Sequence, residues 1–238
     1  MDSQHPIKHP LLLDHGLNLQ AVFNLSELPE AVTASIKAHA PELSCFKQLI
    51  MFGHGGRQMW EALQASEFAN TDNPIDSFSV DLVHRWFADV NSENSFEILY
   101  PGGEQPVPLQ KLGTVAGWHH TSPFRVGINS LWGSWFAYRA VVLADSTFET
   151  TPPLTALSPC DSCEEKPCIS ACPADALSGN DGSLQPCIDY RVEAGSQCKD
   201  RCFSRLACPV ASEHRYTMQQ LNYHYVRSMQ TIIECYPK

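Results

Sequence analysis

The sequence predicts an α+β protein with two parts, a sheet domain with flanking helices followed by a small cysteine-rich domain. Strand-like runs alternate with helical patterns over residues 1–145, and nine of the ten cysteines lie at or after Cys160. Between these parts, residues 146–159 (STFETTPPLTALSP) are polar, contain prolines and have no periodicity, which is typical of a domain boundary. We therefore expect one domain over residues 1–150 and a second over residues 151–238.

Strands are predicted where β-branched, aliphatic and aromatic residues form short runs that end in turn residues. Such runs occupy residues 17–25 (LNLQAVFNL), 47–56 (KQLIMFGHGG) and 96–100 (FEILY). The stretch 125–145 (RVGINSLWGSWFAYRAVVLAD) is typical of two strands around a turn.

Helical spacing of apolar residues predicts helices between these strands. The predicted helices are residues 26–41, which open with a Ser26 cap, and residues 57–66, 73–90 and 108–118. In the third of these helices, one face carries Ile75, Phe78, Leu82 and Trp86. Strands that alternate with helices indicate a three-layer α/β or α+β sheet domain.

Charge and hydropathy limit the kinds of partner that the chain is expected to have. The net charge is −10, and residues 1–159 carry sixteen acidic against eight basic residues. Because no run of Lys and Arg offers a surface for phosphates, we expect no nucleic acid as a partner. The first residues, MDSQHPIKHPLLLDHG, contain an apolar run of only three residues, too short for a signal peptide or a membrane span. We expect a cytoplasmic protein with no membrane partner, where cysteines favour metal over disulfides.

The cysteines form two sets of four, and each set closes with Cys-Pro at Cys172 and Cys208. This layout resembles a two-cluster bacterial ferredoxin, in which the Cys before Pro ligates the other 4Fe-4S cluster. The resemblance implies that one cluster is held by Cys160, Cys163, Cys168 and Cys208. It implies that the second is held by Cys172, Cys187, Cys198 and Cys202.

The spacing departs from the ferredoxin pattern in two places. Four residues (EEKP) separate Cys163 from Cys168 instead of two, and the second set ends Cys-x3-Cys-x5-Cys-Pro. A single cluster and structural zinc, which also takes four cysteines, therefore stay open as alternatives. Cys45 and Cys235 stand outside the set, and we interpret them as buried or idle thiols.

Residues 122–145 resemble the strand pair of the CblC-type cobalamin-processing chaperones. That family's Gly-x-Trp-Phe-Ala-x-Arg pattern falls on Gly133, Trp135, Phe136, Ala137 and Arg139. Residues 72–86 (DNPIDSFSVDLVHRW) look like its Asp-Pro-Val-Asp helix, and VAG at 115–117 matches a further short piece.

The pieces AGW (116–118) and GSWF (133–136), followed by a cysteine segment with a lone Cys187 in PCIDY, are similar to epoxyqueuosine reductase. Both families share a nitroreductase-like fold that binds a corrinoid, and the reductases join it to two 4Fe-4S clusters. The resemblance implies a nitroreductase-like, mixed-sheet domain followed by a small ferredoxin-like iron–sulfur domain.

Two departures weigh against the reductase's own reaction, and a third departs from the chaperone pattern. Its catalytic Asp before Ala-Pro-Val-Leu has no counterpart, because this chain reads GGEQPVPL at 102–109. The helical-repeat tail that supports tRNA binding in that family is not found in the sequence, so a tRNA substrate is not expected. The chaperone's His before Val-Ala-Gly is Thr114 here.

Residues 113–138 have the composition of a pocket for a large flat cofactor, with aromatic rings, glycines and hydroxyls close together. The predicted cofactor-binding residues are Gly117, Trp118, His119, His120, Gly133, Ser134, Trp135 and Arg139. The same aromatic residues also suit the buried core of a strand pair. Adjacent histidines in a strand point to opposite faces, so at most one of the two can enter a given pocket. A buried guanidinium such as that of Arg139 needs a polar or anionic partner.

Together these observations predict a redox protein that passes electrons from two 4Fe-4S clusters to cobalamin in the first domain, for cobalamin processing or reductive chemistry. The expected partners are an electron donor protein or reductase and a small-molecule substrate or the corrinoid itself. Two alternatives stay open, a ferredoxin-type electron carrier without a corrinoid and an FMN-binding reductase.

Overall fold

A computed structural model describes residues 8–37, 45–90, 95–102, 106–179 and 183–236. The chain forms two compact units. The first comprises residues 1–119 and 136–155, and the second comprises residues 120–135 and 156–238. The break after Thr155 falls within the polar, proline-bearing stretch, whereas residues 120–135 group with the cysteine-rich part and not with the sheet.

The longest secondary structure elements are two strands of eight and nine residues and two helices of 17 and 18 residues. The strands are β1 (Leu19–Asn24), β2 (Gln48–Gly55), β3 (Phe96–Tyr100), β4 (His120–Thr121), β5 (Gly127–Ile128) and β6 (Phe136–Ala144). The helices are α1 (Pro10–Asp14), α2 (Glu30–Lys37), α3 (Gln58–Gln64), α4 (Pro74–Val90), α5 (Leu109–Val115), α6 (Pro167–Ser170), α7 (Gln185–Val192), α8 (Phe203–Ala207) and α9 (Met218–Cys235). Within the described residues, no helix is long and apolar enough to cross a membrane.

The first unit is built on a four-stranded sheet in the order β1-β2-β6-β3. Each neighbouring pair is antiparallel, so the mixed sheet that the family resemblance implies is not found among the described strands. The α+β class is confirmed, because helices accompany an antiparallel sheet. The predicted strands at 17–25, 47–56 and 96–100 are confirmed as β1, β2 and β3.

A β-bulge interrupts the pairing of the two central strands. Phe52 pairs with Ala140 and Gly53 with Tyr138, which leaves Arg139 as the extra residue of β6. A bulge of this kind re-aims side chains and breaks the regular alternation of faces. It therefore sets the directions of Tyr138 and Arg139, two residues discussed below.

The predicted strand pair at 125–145 does not form a hairpin in the described structure. Strand β5 pairs with β4 in a separate two-stranded sheet, and β6 enters the large sheet. The cause is local, because the side chain of Asn129 accepts hydrogen bonds from the backbone N–H groups of Leu131 (3.1 Å) and Trp132 (2.7 Å). Such an Asx-type turn ends a strand.

The predicted Ser26 cap is wrong. Ser26 lies inside a short 3-10 turn, Leu25–Glu27, and α2 begins later, at Glu30. The carbonyl of Pro29 accepts hydrogen bonds from the N–H groups of Val32 (2.9 Å) and Thr33 (3.0 Å), which starts the helix there. The predicted end of this helix, residues 38–41, lies outside the described residues.

Helix α4 packs one face against the sheet. Its predicted apolar residues, Ile75, Phe78, Leu82 and Trp86, are all buried. Trp86 is fully buried, and its ring lies 5.3 Å from that of Phe52, 4.6 Å from Phe87 and 5.6 Å from Phe148. This aromatic cluster is the centre of the first unit's core.

A buried glutamine ties the segment after β6 to the sheet. The Gln48 side chain accepts hydrogen bonds from Ser146 Oγ (2.7 Å) and the Phe148 N–H (2.9 Å), and it donates to the Phe148 carbonyl (2.8 Å). Further on, Thr151 exchanges hydrogen bonds with Val22. The polar stretch therefore begins as part of the first unit.

The second unit has little regular structure and a small core. Its buried apolar cluster consists of Trp135, Tyr216 and Leu221, with Leu206 and Tyr225 packed against it. Helix α9 contributes Leu221 and Tyr225. Trp135 comes from the segment of residues 120–135, which ends directly before β6.

Replacement of Trp86 by alanine tests the core of the first unit. Loss of a fully buried tryptophan removes apolar burial and leaves a cavity, so the free energy of unfolding should fall by about 3–5 kcal/mol. Denaturant unfolding followed by circular dichroism measures this. The control is Arg85→Ala on the exposed face of the same helix, where an i,i+4 pair with Asp81 is lost; its cost should stay within about 0.5 kcal/mol. Equal costs for both variants would contradict the core assignment.

Candidate functional site

The eight cysteines predicted as cluster ligands all belong to the second unit. All ten cysteines of the chain are free thiols. Cys168, Cys198 and Cys208 are buried and the other five of the eight are half-buried, whereas Cys45 and Cys235 are exposed. The two outlying cysteines are therefore not the buried thiols that we considered.

Four of the eight, called here the first cysteine group, are Cys160, Cys163, Cys168 and Cys208. Burial raises the pKa of Cys160, and the charges of Cys208 and Cys163 raise it further. Burial also raises the pKa of Cys168, and Cys208, Cys160 and Cys163 add to that effect. Charge effects of this kind act between close neighbours, so these four side chains lie near one another.

The remaining four, called the second cysteine group, are Cys172, Cys187, Cys198 and Cys202. Burial raises the pKa of Cys198 to about 11, with contributions from Cys202, Cys187 and Cys172. Burial also raises the pKa of Cys187, which Arg191 opposes and which Cys202 and Cys172 reinforce. The members of this group therefore lie near one another too.

The two groups are crossed in sequence, because Cys208 joins the first set and Cys172 joins the second. In the parts of the chain that the structure describes, no three His, Cys, Asp or Glu side chains converge to hold a single metal ion. Each cysteine group does have the number and type of donors that an iron–sulfur cluster takes, because deprotonated thiols are soft, negative ligands and such a cluster takes four of them. Since the pKa values of Cys160, Cys168, Cys187 and Cys198 are raised, any metal would displace protons on binding.

Short helices position these cysteines. Helix α6 begins at Pro167 and carries the buried Cys168 in its first turn. Proline suits this position because its missing N–H has no helical partner there. Cys202 is the N-cap of α8 and Cys208 is its C-cap, so a helix of five residues connects one cysteine of each group.

Gly133 allows close packing beside the first cysteine group. Its φ of +57° lies in the left-handed region, and a Cβ atom there would come within 2.3 Å of the Val210 carbonyl oxygen. Glycine alone meets both demands without strain. The turn before Trp135 therefore lies directly against the chain that follows Cys208.

Ser134 and Trp135 surround a buried arginine. Both are fully buried, and the guanidinium of Arg205 lies 4.6 Å from the centre of the Trp135 ring and 4.9 Å from that of Tyr216. The same guanidinium donates hydrogen bonds to the Oγ and the carbonyl of Ser134. In this structure, Ser134 and Trp135 thus hold a cation inside the second unit.

In the first unit, Tyr138 connects several predicted cofactor-binding residues. Its hydroxyl lies 3.3 Å from Nδ1 of His119, and its ring stacks near that of Trp118, with centroids 6.4 Å apart. A Cβ atom on Gly113 would lie 1.9 Å from this hydroxyl. Trp118 is buried and His119 is half-buried, so His119 and Tyr138 are the accessible polar groups of this cluster.

Arg139 is buried, with 7 % of its surface exposed. Its Nε donates a 2.8 Å hydrogen bond to Nδ1 of His54 on the neighbouring strand. Burial raises the pKa of Tyr100, and the positive charge of Arg139 opposes this rise while Asp76 reinforces it. The polar partner that a buried guanidinium requires is therefore a histidine, with a phenol and a carboxylate nearby.

The remaining predicted residues are Gly117 and His120. Gly117 has φ +72° and packs against the Leu154 backbone. Its role in the first unit is therefore to let these two backbone segments come close together. His120 belongs to the second unit and has a buried Nε2 without a hydrogen-bond partner among the described residues. A cavity of about 320 Å³ in the first unit is lined from β1, Val115 and residues 150–153, and none of the predicted cofactor-binding residues lines it.

Sequence reasoning missed three buried residues that matter here, His54, Arg191 and Arg205. His54 lies in the GHGG end of the predicted strand at 47–56. Arg191 follows Cys187 by one helical turn, and Arg205 lies one turn after Cys202; this spacing was a signal that both would lie beside the second cysteine group.

The comparisons with known proteins rest on structure alone, because no protein-family model and no curated protein matches the sequence. The chain is similar to epoxyqueuosine reductase from Bacillus subtilis, with 15 % identity, a TM-score of 0.55 and 89 % of this chain aligned to 67 % of that one. It is similar to an epoxyqueuosine reductase solved with a modified tRNA-Tyr stem loop, at 12 % identity, TM-score 0.55, and 87 % and 65 % coverage.

A further match is the C. elegans B12-trafficking protein CblC, with 14 % identity, a TM-score of 0.45, and 90 % and 88 % coverage. So low a TM-score does not establish a shared fold. The chain thus has the fold of the epoxyqueuosine reductases, as the sequence resemblance implied, and spans about two thirds of their length.

One of these findings conflicts with our exclusion of nucleic acid. A protein with this fold has been solved with a tRNA stem loop. An acidic overall charge therefore does not suffice to exclude nucleic acid as a partner for such a fold, because binding depends on local charge, which the net charge averages away.

The burial of Tyr138 predicts a change in stability at high pH. Burial raises the pKa of Tyr138 well above its usual value of 10, so above about pH 10 the unfolded chain binds fewer protons than the folded one. Stability should therefore be unaffected below this pH and fall as the pH rises above it. Tyr138→Phe removes the titrating group and should reduce this fall.

The measurement is the free energy of unfolding from denaturant titrations between about pH 8.5 and pH 11.5. Tyr236→Phe, which removes an exposed tyrosine, is the control and should follow the parent protein. Parallel curves for the parent and the Tyr138→Phe protein would show that this phenol is not the one that resists ionisation.

Proposed function

We propose that the protein is an electron-transfer protein that holds two 4Fe-4S clusters in its second unit and binds a corrinoid in its first. The observation that supports the proposal is the crossed grouping of the eight cysteines, whose charges affect the pKa values of members of the same set. A two-cluster ferredoxin shares its ligands in this crossed way.

The residues around each cysteine group suit an anionic cluster. A guanidinium group binds the backbone of one cysteine in each group, because Arg215 donates to the Cys208 carbonyl (3.2 Å) and Arg191 donates to the Cys198 carbonyl (3.1 Å). When bound, the clusters would supply one-electron transfer at low potential. The fold shared with the epoxyqueuosine reductases supports a redox role for the chain.

In the first unit, the proposed corrinoid contacts are His119, Tyr138 and Arg139. Gly117 and Trp118 are proposed to hold these contacts in position. A corrin ring carries amide side chains, which need hydrogen-bond donors and acceptors. The imidazole of His119 and the phenol of Tyr138 can supply both, and burial keeps the phenol protonated. Arg139 adds a positive charge beside them, on the bulge of β6.

Iron and sulfide analysis tests the cluster part. Protein purified without oxygen should contain about eight iron and eight sulfide atoms per chain and show a broad visible absorption that bleaches on reduction. Cys208→Ser should lower the iron content and change the signal of the cluster that the first cysteine group holds. Cys45→Ser, at an exposed cysteine outside both groups, should change neither. Zinc alone, without visible absorption, would contradict two clusters.

Binding of hydroxocobalamin tests the corrinoid part. Equilibrium dialysis with the cluster-loaded protein should show about one cobalamin per chain, and Arg139→Ala should weaken binding. A charge-assisted hydrogen bond is worth about 1.5–3 kcal/mol, so the loss should be roughly ten- to a hundredfold. Arg85→Ala, which removes an exposed arginine of the same unit, should bind like the parent.

The alternatives give different outcomes in the same assay. Retention of FMN but not cobalamin would favour an FMN-binding reductase, and retention of neither would favour an electron carrier. If cobalamin binds equally to the parent and the Arg139→Ala protein, the residue assignment is wrong and the corrinoid proposal stands. A tRNA-Tyr stem loop in the same assay tests nucleic acid as a partner.

A further inference from the structure

Two arginines are buried in the second unit, and each has only 7 % of its surface exposed. Arg191 on α7 donates from Nε to the Cys198 carbonyl (3.1 Å), from Nη1 to Ser228 Oγ (3.0 Å) and from Nη2 to the Tyr225 carbonyl (3.1 Å). Its guanidinium also lies 5.4 Å from the centre of the Tyr225 ring. Each of these three bonds is to a neutral oxygen.

Arg205 on α8 is bound in the same manner. It donates to the Oγ and the carbonyl of Ser134, and its guanidinium lies 4.6 Å from the centre of the Trp135 ring and 4.9 Å from that of Tyr216. Among the described residues, neither Arg191 nor Arg205 forms an ion pair with a carboxylate. Two buried positive charges thus have hydrogen bonds but no counter-charge, an arrangement that is costly unless an anion lies nearby.

Once cluster binding has displaced its protons, the second cysteine group is the anion within reach. Arg191 binds the backbone of Cys198, and its charge favours the thiolate of Cys187. Tyr225 hydrogen-bonds both Arg205 and Cys202, so it connects the second guanidinium to a ligand sulfur. The exposed Arg125 also favours the Cys187 thiolate.

The first cysteine group has a different electrostatic environment. Its arginine, Arg215, is half-buried and donates to the Cys208 carbonyl (3.2 Å). The loop that carries Cys160 and Cys163 has three exposed acidic residues, Asp161, Glu164 and Glu165, and one exposed lysine, Lys166. Asp161 adds to the pKa rise of Cys160, which means that its negative charge is felt at the sulfur.

We propose that Arg191 and Arg205 raise the reduction potential of the cluster held by the second cysteine group above that of the cluster held by the first. The first electron that enters the oxidised protein then rests on the second cluster. This inference rests on the proposed function, because it requires that both clusters are present.

The physical reason is that reduction adds one negative charge to a cluster. A buried positive charge stabilises the reduced form more than a solvated one does, because little water screens it. Hydrogen bonds toward ligand sulfurs and the surrounding charge are recognised determinants of cluster potential. Two buried guanidinium groups and the Tyr225 hydroxyl act on the second group, whereas exposed carboxylates act on the first.

A redox titration of the cluster-loaded protein tests the proposal. Dithionite supplies the electrons, and electron paramagnetic resonance follows the reduced form of each cluster. Cys163→Ser and Cys187→Ser assign the two signals, because each alters the signal of its own group. In the parent protein, the cluster of the second group should be reduced first, at the less negative potential.

Arg205→Met and Arg191→Met should each shift the potential of the second cluster to a more negative value and leave the first cluster unchanged. Arg205→Lys and Arg191→Lys keep the charge and should shift it less. The matched control is Lys199→Met, which removes an exposed positive charge next to Cys198 and should have a smaller effect than either buried arginine. If one methionine variant loses its iron, the potentials of the other methionine variant and of the two lysine variants test the proposal instead.

Three results would overturn the inference while the proposed function stands. They are equal potentials for the two clusters, reduction of the first cluster before the second, and methionine variants with the parent's potentials. Protein that contains no clusters would overturn the inference and the proposed function together, and iron analysis of the parent distinguishes this case.

Discussion

The second unit depends on one constraint, that thiols from both ends of the cysteine segment lie together in two crossed groups. Cys208 has to return to Cys160, Cys163 and Cys168, and α8 has to place it one short helix after Cys202. The chain between these points therefore has little freedom, and short helices and turns take the place of a large apolar core. A small apolar cluster is enough for the second unit because the crossing of the two cysteine groups already brings its chain segments into contact.

Charge is also buried in both units. Arg191 and Arg205 lie inside the second unit, while the acidic residues of the Cys160 loop stay exposed. In the first unit, Arg139 meets His54 across a bulge in the central strand pair. Both units thus accept the cost of a buried guanidinium, and in both the polar partners come from neighbouring elements.

Local patterns predicted most of the elements, because apolar periodicity reports burial directly. Helix α4 and strand β3 were readable in this way, and the cysteine layout implied the crossed groups. What could not be read depends on contacts between distant residues. The start of α2 at Glu30, the direction of the strands, the separate pairing of β5, and the partners of Arg139 and Arg205 are all decided by the tertiary structure.

The position of Trp135 has a consequence for how the protein can be divided. This tryptophan belongs to the core of the second unit, together with Tyr216 and Leu221, yet it precedes the last strand of the sheet in the first unit. The chain passes from one unit to the other and back before it reaches the cysteines. A recombinant fragment that starts at residue 151 would carry all eight cysteines of the two groups without the indole that packs against Arg205, so one cut in the chain does not separate the two units.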